Sequence, residues 1–319
     1  MIVVVSVSND LIFDFMKDLA INQERSARTI DGYAIDLTVF FRFLKAHFDP
    51  LRPYDQVDTL PFDDVDLQML GRVSQETLKD YLRFLKEVRG NKDVTARRKL
   101  TSVSEFFEYL QNAYLVDENP ALRLKAPKLV AGEPAYLSLY EAKRLLASID
   151  GIHRERDYAI IMVFLTCGLK LSEVCDLKRS DYENNALRIV GPGGKTRFVH
   201  VNTVCRDALS DYLVIRETIT SFDGAYLFLS ARKSGLKRRS VHQLVQKHIK
   251  AAGLNPALYS AQSLRHTCAM LLYHETSDIA AVQAVLGHSS ASSSLMYVKT
   301  SSQKASAAID AHPLNVLAD

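Results

Sequence analysis

Leu264-Arg265-His266-Thr267, then Leu286-Gly287-His288-Ser289-Ser290, then Tyr297 decide how this chain is read. An arginine, a histidine and a tyrosine follow one another in fixed order, each beside a helix end or a turn. Arg265 precedes an apolar run, Ala269-Met270-Leu271-Leu272, which places it in the first turn of a buried helix, where the positive helix end also favours phosphate. Gly287 reads as a helix stop and Ser289-Ser290 as the cap of the next helix, so His288 falls at a junction whose side chains can face a cleft. A phenol is a weak nucleophile at neutral pH and needs a base or a positive field. Arg265, His266 and His288 can supply that field to Tyr297. Each residue alone has a commoner use: a tyrosine in a helix is usually core, a lone arginine pairs with a carboxylate, and a histidine such as His266 is often structural. Together they form the set needed to cut a nucleic-acid strand without a metal.

The rest of the composition is consistent with a globular protein. The chain has 319 residues, 47% of them hydrophobic and 24% charged, enough for two domains with real cores. Net charge is only +3, from 40 Lys and Arg against 37 Asp and Glu. Any basic surface must therefore come from distribution rather than excess. Four cysteines, Cys167, Cys175, Cys205 and Cys268, form no CxxC pair and read as reduced, mostly buried thiols of a cytoplasmic protein. Met1 to Ser6 is too short for a signal peptide, and no apolar run reaches the roughly 18–20 residues of a membrane helix.

The first part of the chain reads as helical. Leu11, Phe15 and Leu19 recur at helical spacing. Tyr33, Leu37, Phe40, Phe41 and Leu44 form a second apolar face after Ser26. Residues 49–72, rich in Pro, Asp and Leu, read as an extended connection or insertion. Ser74 opens a third helix with a stripe of Leu78, Tyr81, Leu82 and Leu85. A fourth begins near Val94 and runs through Phe106, Phe107 and Leu110, and Asn119-Pro120 ends the helical region. Pro and Gly punctuate a linker over about 125–135, separating a domain of residues 1–128 from one of 136–319. The second part is mixed. Leu139 to Ile149 and Arg156 to Cys167 read as helices, and Ala186 to Val190 pairs with Thr196 to Val201 across Gly191-Pro192-Gly193-Gly194 as a β-hairpin. Helices resume near Cys205 and continue to Asp310. Lys195, at the hairpin tip behind glycines, can reach into a groove and donate a proton, though hairpin lysines are usually only solvated.

On these residues the chain resembles the tyrosine recombinases of the phage-integrase superfamily, with the architecture of the short two-domain Xer-type enzymes. Leu264-Arg265-His266-Thr267, Leu286-Gly287-His288-Ser289 and Tyr297 match the family's C-terminal motifs. Thr166-Cys167-Gly168-Leu169-Lys170-Leu171-Ser172-Glu173-Val174 matches its first motif, and residues 11–44 and 94–128 resemble its core-binding domain. The resemblance implies a mainly α fold with a small β-hairpin or sheet. It also implies a helical, SAM-like core-binding domain before an α+β catalytic domain. It implies that Tyr297 attacks the scissile phosphate to form a 3′-phosphotyrosine, that Arg265 and His288 hold the phosphate, and that Lys195 is the general acid. Glu173 would order the site, and His266 would be mainly structural. No metal, nucleotide or other cofactor is implied, because the covalent bond stores the energy for rejoining.

Two positions depart from the family pattern. Lys170 stands where the first motif carries arginine; lysine keeps the charge but loses the planar fork, which can cost about 10²–10³ in rate at a preorganised anion site. Gln262 stands where histidine, sometimes lysine, is usual; glutamine can donate a hydrogen bond but carries no charge. Three accounts of Lys170 stay open: an engineered substitution, a natural variant compensated elsewhere, or a degenerate recombinase that still binds DNA. The expected partner is double-stranded DNA with an inverted-repeat core site. Arg97, Arg98 and Lys99 in the first domain and Arg232, Lys233, Lys237, Arg238 and Arg239 in the second are the candidate contacts, with Ser240 capping the helix that follows. The tail from Ser301 to Asp319 would dock on a neighbouring protomer, giving dimers and a tetramer on DNA, with an accessory protein left open. The expected setting is the cytoplasm, on the nucleoid, without membrane contact. The alternatives are an impaired recombinase-fold accessory protein and a type IB topoisomerase-like enzyme.

Overall fold

The computed structural model describes residues 9–49, 51, 54–122, 124, 134–191, 194–220, 224–287 and 297. The chain divides into two compact units, residues 1–131 and 132–319. His288, Ser289-Ser290, most of the linker and the tail after Tyr297 lie outside the described residues.

The first unit is helical. α1 (Asp10–Ile21) is capped by Asn9, whose side-chain oxygen accepts from the Leu11 and Ile12 amides while its amide group donates to Phe62 and Val65 carbonyls. α2 (Ala27–His47) starts at Ser26. Within 49–72, read as an extended connection or insertion, the described residues include a 3₁₀ segment (Tyr54–Thr59) and α3 (Leu67–Leu70), a single turn. Turns this short carry no readable helical period. α4 (Gln75–Glu87) begins at Ser74 in a reciprocal capping arrangement with Thr77. α5 (Asp93–Asn112) ends earlier than Asn119-Pro120. Asn119 instead folds the following segment back, donating to the Ser104 carbonyl at 2.9 Å and accepting from the Ala121 amide at 2.9 Å. The apolar stripes of these helices meet in an aromatic core of Phe15, Phe40, Phe41, Tyr81, Phe106 and Phe107, with edge-on ring pairs such as Phe15–Phe106 and Phe41–Phe106.

A charged cluster is buried between two helices of this unit. Asp36 of α2 is fully buried and accepts from Arg98 Nη2 (2.8 Å), Lys99 Nζ (2.8 Å) and Ser102 Oγ (2.7 Å) of α5. Lys99 is therefore drawn inward and is itself buried, which corrects its reading as a surface contact. Arg98 shares the same carboxylate but keeps more than half of its side chain exposed, and Arg97 is exposed.

The second unit is mainly α with a small antiparallel sheet. α6 (Leu139–Ala147) is capped by Ser138 with Glu141. α7 (Arg154–Met162) begins two residues before the predicted Arg156. It widens into a π turn (Val163–Cys167) that stops at Gly168 in the left-handed conformation. A Cβ on Gly168 would lie 2.6 Å from Leu286 Cδ2 and 3.2 Å from Cys268 Sγ, so only glycine fits between these elements. α8 (Leu171–Asp176) follows at once. The predicted hairpin exists as β2 (Ala186–Val190) and β3 (Thr196–His200), with Leu187 opposite Val199 and Ile189 opposite Arg197; β1 (Tyr182–Glu183) adds a short third strand. α9 (Thr203–Glu217), α10 (Arg238–Ala251), α11 (Ala261–Thr276) and α12 (Ile279–Leu286) complete the unit. α10 starts after Lys237 without a side-chain cap, so Ser240 lies within its first turn rather than at the cap. All four cysteines are free and buried. Among the described residues no helix is long and apolar enough to cross a membrane.

Removing Asp36 would leave Lys99 buried without a counter-charge. We expect Asp36→Ala to lower the stability of the first unit by about 3–5 kcal/mol, and Asp36→Asn by less because its amide oxygen still accepts. Thermal unfolding of the full chain tests this through an early transition that the parent chain lacks.

Candidate active site

α11 carries Gln262, Arg265 and His266. It begins at Ala261, so Arg265 lies in its second turn, not its first. That shift takes Arg265 away from the free amides at the helix start and into the unit. Its side chain is buried: Nη1 donates to the Gly168 carbonyl at 2.6 Å and Nη2 to the Leu286 carbonyl at 2.8 Å. Both acceptors are backbone oxygens at helix ends, one closing the π turn and one closing α12. Their residual negative charge suits a cation. Burial lowers the Arg265 pKa, opposed chiefly by the nearby Glu173 carboxylate at 3.9 Å. A guanidinium has five N–H donors, so donors remain for an anion.

Glu173 joins the first-motif helix to the hairpin. Arg197 of β3 grips it with two parallel hydrogen bonds, Nη1 to Oε1 and Nη2 to Oε2, each 2.9 Å, and the Lys170 amide donates to Oε2 at 2.8 Å. Burial opposes its charge, but these hydrogen bonds and the Arg197 and Arg265 charges outweigh it and hold the carboxyl below its usual range. Lys170 sits at the start of α8 with its side chain exposed. Lys195 is also exposed, just ahead of β3, its carbonyl accepting from the Gly191 amide at 2.8 Å to close the hairpin. Arg197 was not singled out in the sequence. The available signal was strand alternation, which puts Arg197 on the same face as buried Val199.

Tyr297 is almost wholly buried among Ala269, Met270, Val282 and Leu286. Its hydroxyl lies 2.9 Å from His266 Nδ1. The other ring nitrogen, Nε2, lies 3.2 Å from Gln262 Nε2, one helical turn earlier. With the amide placed this way, Gln262 donates to Nε2, and the ring proton sits on Nδ1 and is donated to the tyrosine oxygen. Turning the amide over reverses both bonds, and the phenol then donates to His266. The neutral imidazole fits both arrangements, and its surroundings favour it. Burial, then the Arg265 charge, push the His266 pKa below its usual value. Burial raises the Tyr297 pKa, with the Arg265 charge working against it. The phenol is therefore protonated at neutral pH, within the electrostatic reach of Arg265.

Thus Gln262, Arg265, His266 and Tyr297 come together with Gly168, Glu173 and Arg197 in one site, while the Lys170 and Lys195 side chains are exposed. His288 immediately follows Gly287, whose left-handed geometry ends α12, but the histidine itself lies outside the described residues. The basic segment splits in two. Arg232 and Lys233 sit on a tight turn closed by Ser230 and Ser234, and Lys237, Arg238 and Arg239 are exposed at the start of α10. Arg232 and Lys237 line one groove with Arg156, and Lys237, Arg238 and Arg239 line a second with Asp176 and Tyr226. Among the described residues no group of three or more histidine, cysteine or acidic side chains is disposed to hold a metal ion.

The depressed His266 pKa has a sign that can be tested. Because the folded-state value lies below the unfolded one, the unfolded chain takes up the proton first. The contribution to stability is fully present above about pH 6.5 and is lost as pH falls toward the folded midpoint. An NMR titration of the His266 ring in the full chain should give a midpoint below about 6.5; a higher one would mean that the ring is not held neutral.

Comparison with known proteins agrees with this geometry. The phage integrase family profile matches residues 135–304. A tyrosine recombinase XerC from Caldanaerobacter subterraneus subsp. tengcongensis is 38% identical over 310 residues, covering 96% of this chain and 87% of its own. A XerC from Thermodesulfovibrio yellowstonii is 28% identical, covering 90% of both chains. Among solved structures, the XerH site-specific recombinase in its post-cleavage complex with a palindromic difH substrate aligns at a TM-score of 0.69 with 22% identity, covering 94% of this chain and 83% of that one; this last likeness speaks for the fold. With a family profile spanning more than half its length and a relative alike over most of both sequences, the chain belongs to the phage integrase family and is a tyrosine-type site-specific recombinase.

Proposed function

We propose that this chain cuts and rejoins double-stranded DNA at inverted-repeat core sites, in two rounds of strand exchange through a Holliday junction. Tyr297 Oη attacks the scissile phosphorus as its proton passes to the neutral His266 Nδ1 that faces it. As the Oη–P bond forms, the P–O5′ bond breaks, leaving a 3′-phosphotyrosine and a 5′-hydroxyl. Attack by the 5′-hydroxyl of another strand reverses the step and frees Tyr297. Arg265 holds the non-bridging oxygens, assisted by Lys170 and His288, and Lys195 protonates the departing 5′-oxygen. Gln262 and His266 hold the phenol, and Glu173 orders the cations around it. The observation that carries this reading is the 2.9 Å pairing of Tyr297 with His266, one residue along α11 from Arg265. It keeps the nucleophile beside the residue best suited to bind its phosphate.

The first unit would be the core-binding domain and the second the catalytic domain. Arg97 and Arg98 in one, and Arg232, Lys233, Lys237, Arg238 and Arg239 in the other, would contact DNA. Lys99 leaves that set because Asp36 already holds its ammonium group. Assembly to dimers and a tetramer on DNA, through the tail after Tyr297, completes the proposal.

A second reading, a DNA-binding relative with impaired cleavage, is favoured by Lys170 and Gln262. One experiment separates the two. The protein is incubated with a nicked suicide duplex carrying a core site selected from random DNA by binding to this chain, and covalent adduct is read on a denaturing gel. We expect a slow adduct from the parent chain, none from Tyr297→Phe, and a rate about 10²–10³ higher for Lys170→Arg. Intact binding with no adduct, even for Lys170→Arg, would leave only the binding role.

A further inference from the structure

Arg197 does more than neutralise Glu173. We propose that it is a positioning residue that sets the general acid Lys195 against the phosphate site, an inference that rests on the assignment of Lys195 above. Three observations carry it. First, Arg197 is only two residues beyond Lys195, which stands immediately ahead of β3 with its carbonyl accepting from the Gly191 amide at 2.8 Å, so little chain separates the two residues. Second, its guanidinium binds Glu173 through two parallel bonds of 2.9 Å, fixing its direction as well as its distance. Glu173 in turn holds the Lys170 amide at 2.8 Å and lies 3.9 Å from Arg265. The hairpin is thereby tied at one point to both phosphate-binding elements. Third, Arg197 packs face to backbone against Gly287: a Cβ there would fall 2.6 Å from Arg197 Cδ and 2.7 Å from its Nε. The residue before His288 is thus shaped to the same guanidinium.

A purely electrostatic partner for Glu173 would not need this geometry. The Arg197 Nε is buried with no hydrogen-bond partner among the described residues, a cost that an ammonium group would avoid. The fork is what lysine could not supply. With the fork in place, the start of β3 is held while Lys195 Nζ gives its proton to O5′ as the P–O5′ bond breaks.

The test uses the full chain and the same suicide duplex in two forms, with oxygen or sulfur bridging at the 5′ position of the scissile phosphate. A 5′-thiolate leaves without a proton, so it removes the need for a general acid. Arg197→Lys is compared with Lys195→Ala, and DNA binding and thermal unfolding are measured for each. We expect Arg197→Lys to bind DNA like the parent and to form adduct about 10²-fold more slowly on the oxygen duplex. On the sulfur duplex it should recover most of that loss, as Lys195→Ala does. If Lys195→Ala is rescued by sulfur and Arg197→Lys is slowed equally on both duplexes, or not slowed at all, the positioning role is wrong while the acid assignment stands. If sulfur does not rescue Lys195→Ala, the acid assignment fails and takes the inference with it. Should Arg197→Lys not fold, the double variant Arg197→Gln/Glu173→Gln, which replaces the ion pair by an amide pair, is read in the same way. Unfolding of both variants would assign Arg197 to stability alone and overturn the proposal.

Discussion

The site depends on one buried carboxylate. Two guanidinium groups, Arg197 and Arg265, converge on one point of the second unit, and they would repel one another without a fixed negative charge between them. Glu173 supplies it from the first turn of α8, where it meets the Lys170 amide, the Arg197 guanidinium of β3 and the Arg265 guanidinium of α11. Its lone pairs are taken by donors that point in set directions, so it acts as a geometric reference as well as a counter-charge. The two carbonyls that hold Arg265 add a second anchor, and both come from positions where the chain turns out of a helix. Arg265 is thus oriented by the ends of helices more than by another side chain.

Around that frame the two unusual positions have different consequences. Lys170 keeps its backbone tie to Glu173, so the helix start is preserved and only the shape of the cation changes. Gln262 alters the proton chain. An amide can face His266 with either its donor or its acceptor, so it supports both tautomers of the ring without contributing charge. A histidine or lysine there would add a positive group beside the phenol. In this chain that field falls mainly to Arg265, whose charge already opposes the rise in the Tyr297 pKa.

Much of this was legible in the sequence. Arg265 and Tyr297, singled out in the C-terminal motifs, do lie near one another, though through His266, which read as structural, while His288 lies outside the described residues; Ser74 starts a helix as a capping residue suggests, and the predicted hairpin strands pair. What was missed depends on contacts distant in sequence. Asp36 and Lys99 look like surface residues on their helices, and only the packing of α2 on α5 shows that they neutralise each other inside. Arg197 reads as one more charge in a hairpin until Glu173 is seen to receive its fork. The short elements in 49–72 and the two-residue β1 are held by tertiary contact, below the length at which local pattern carries a signal.

The Asp36 cluster also bears on how DNA binding would respond to ionic strength. Counterions are displaced from DNA only by cations that are free to replace them, at about 0.9 in the logarithmic salt slope per neutralised phosphate. Lys99 brings no such charge, and Arg98 brings one already shared with a carboxylate. The first unit should therefore release fewer ions than a count of its basic residues suggests, leaving more of its grip on DNA to contacts that salt does not weaken.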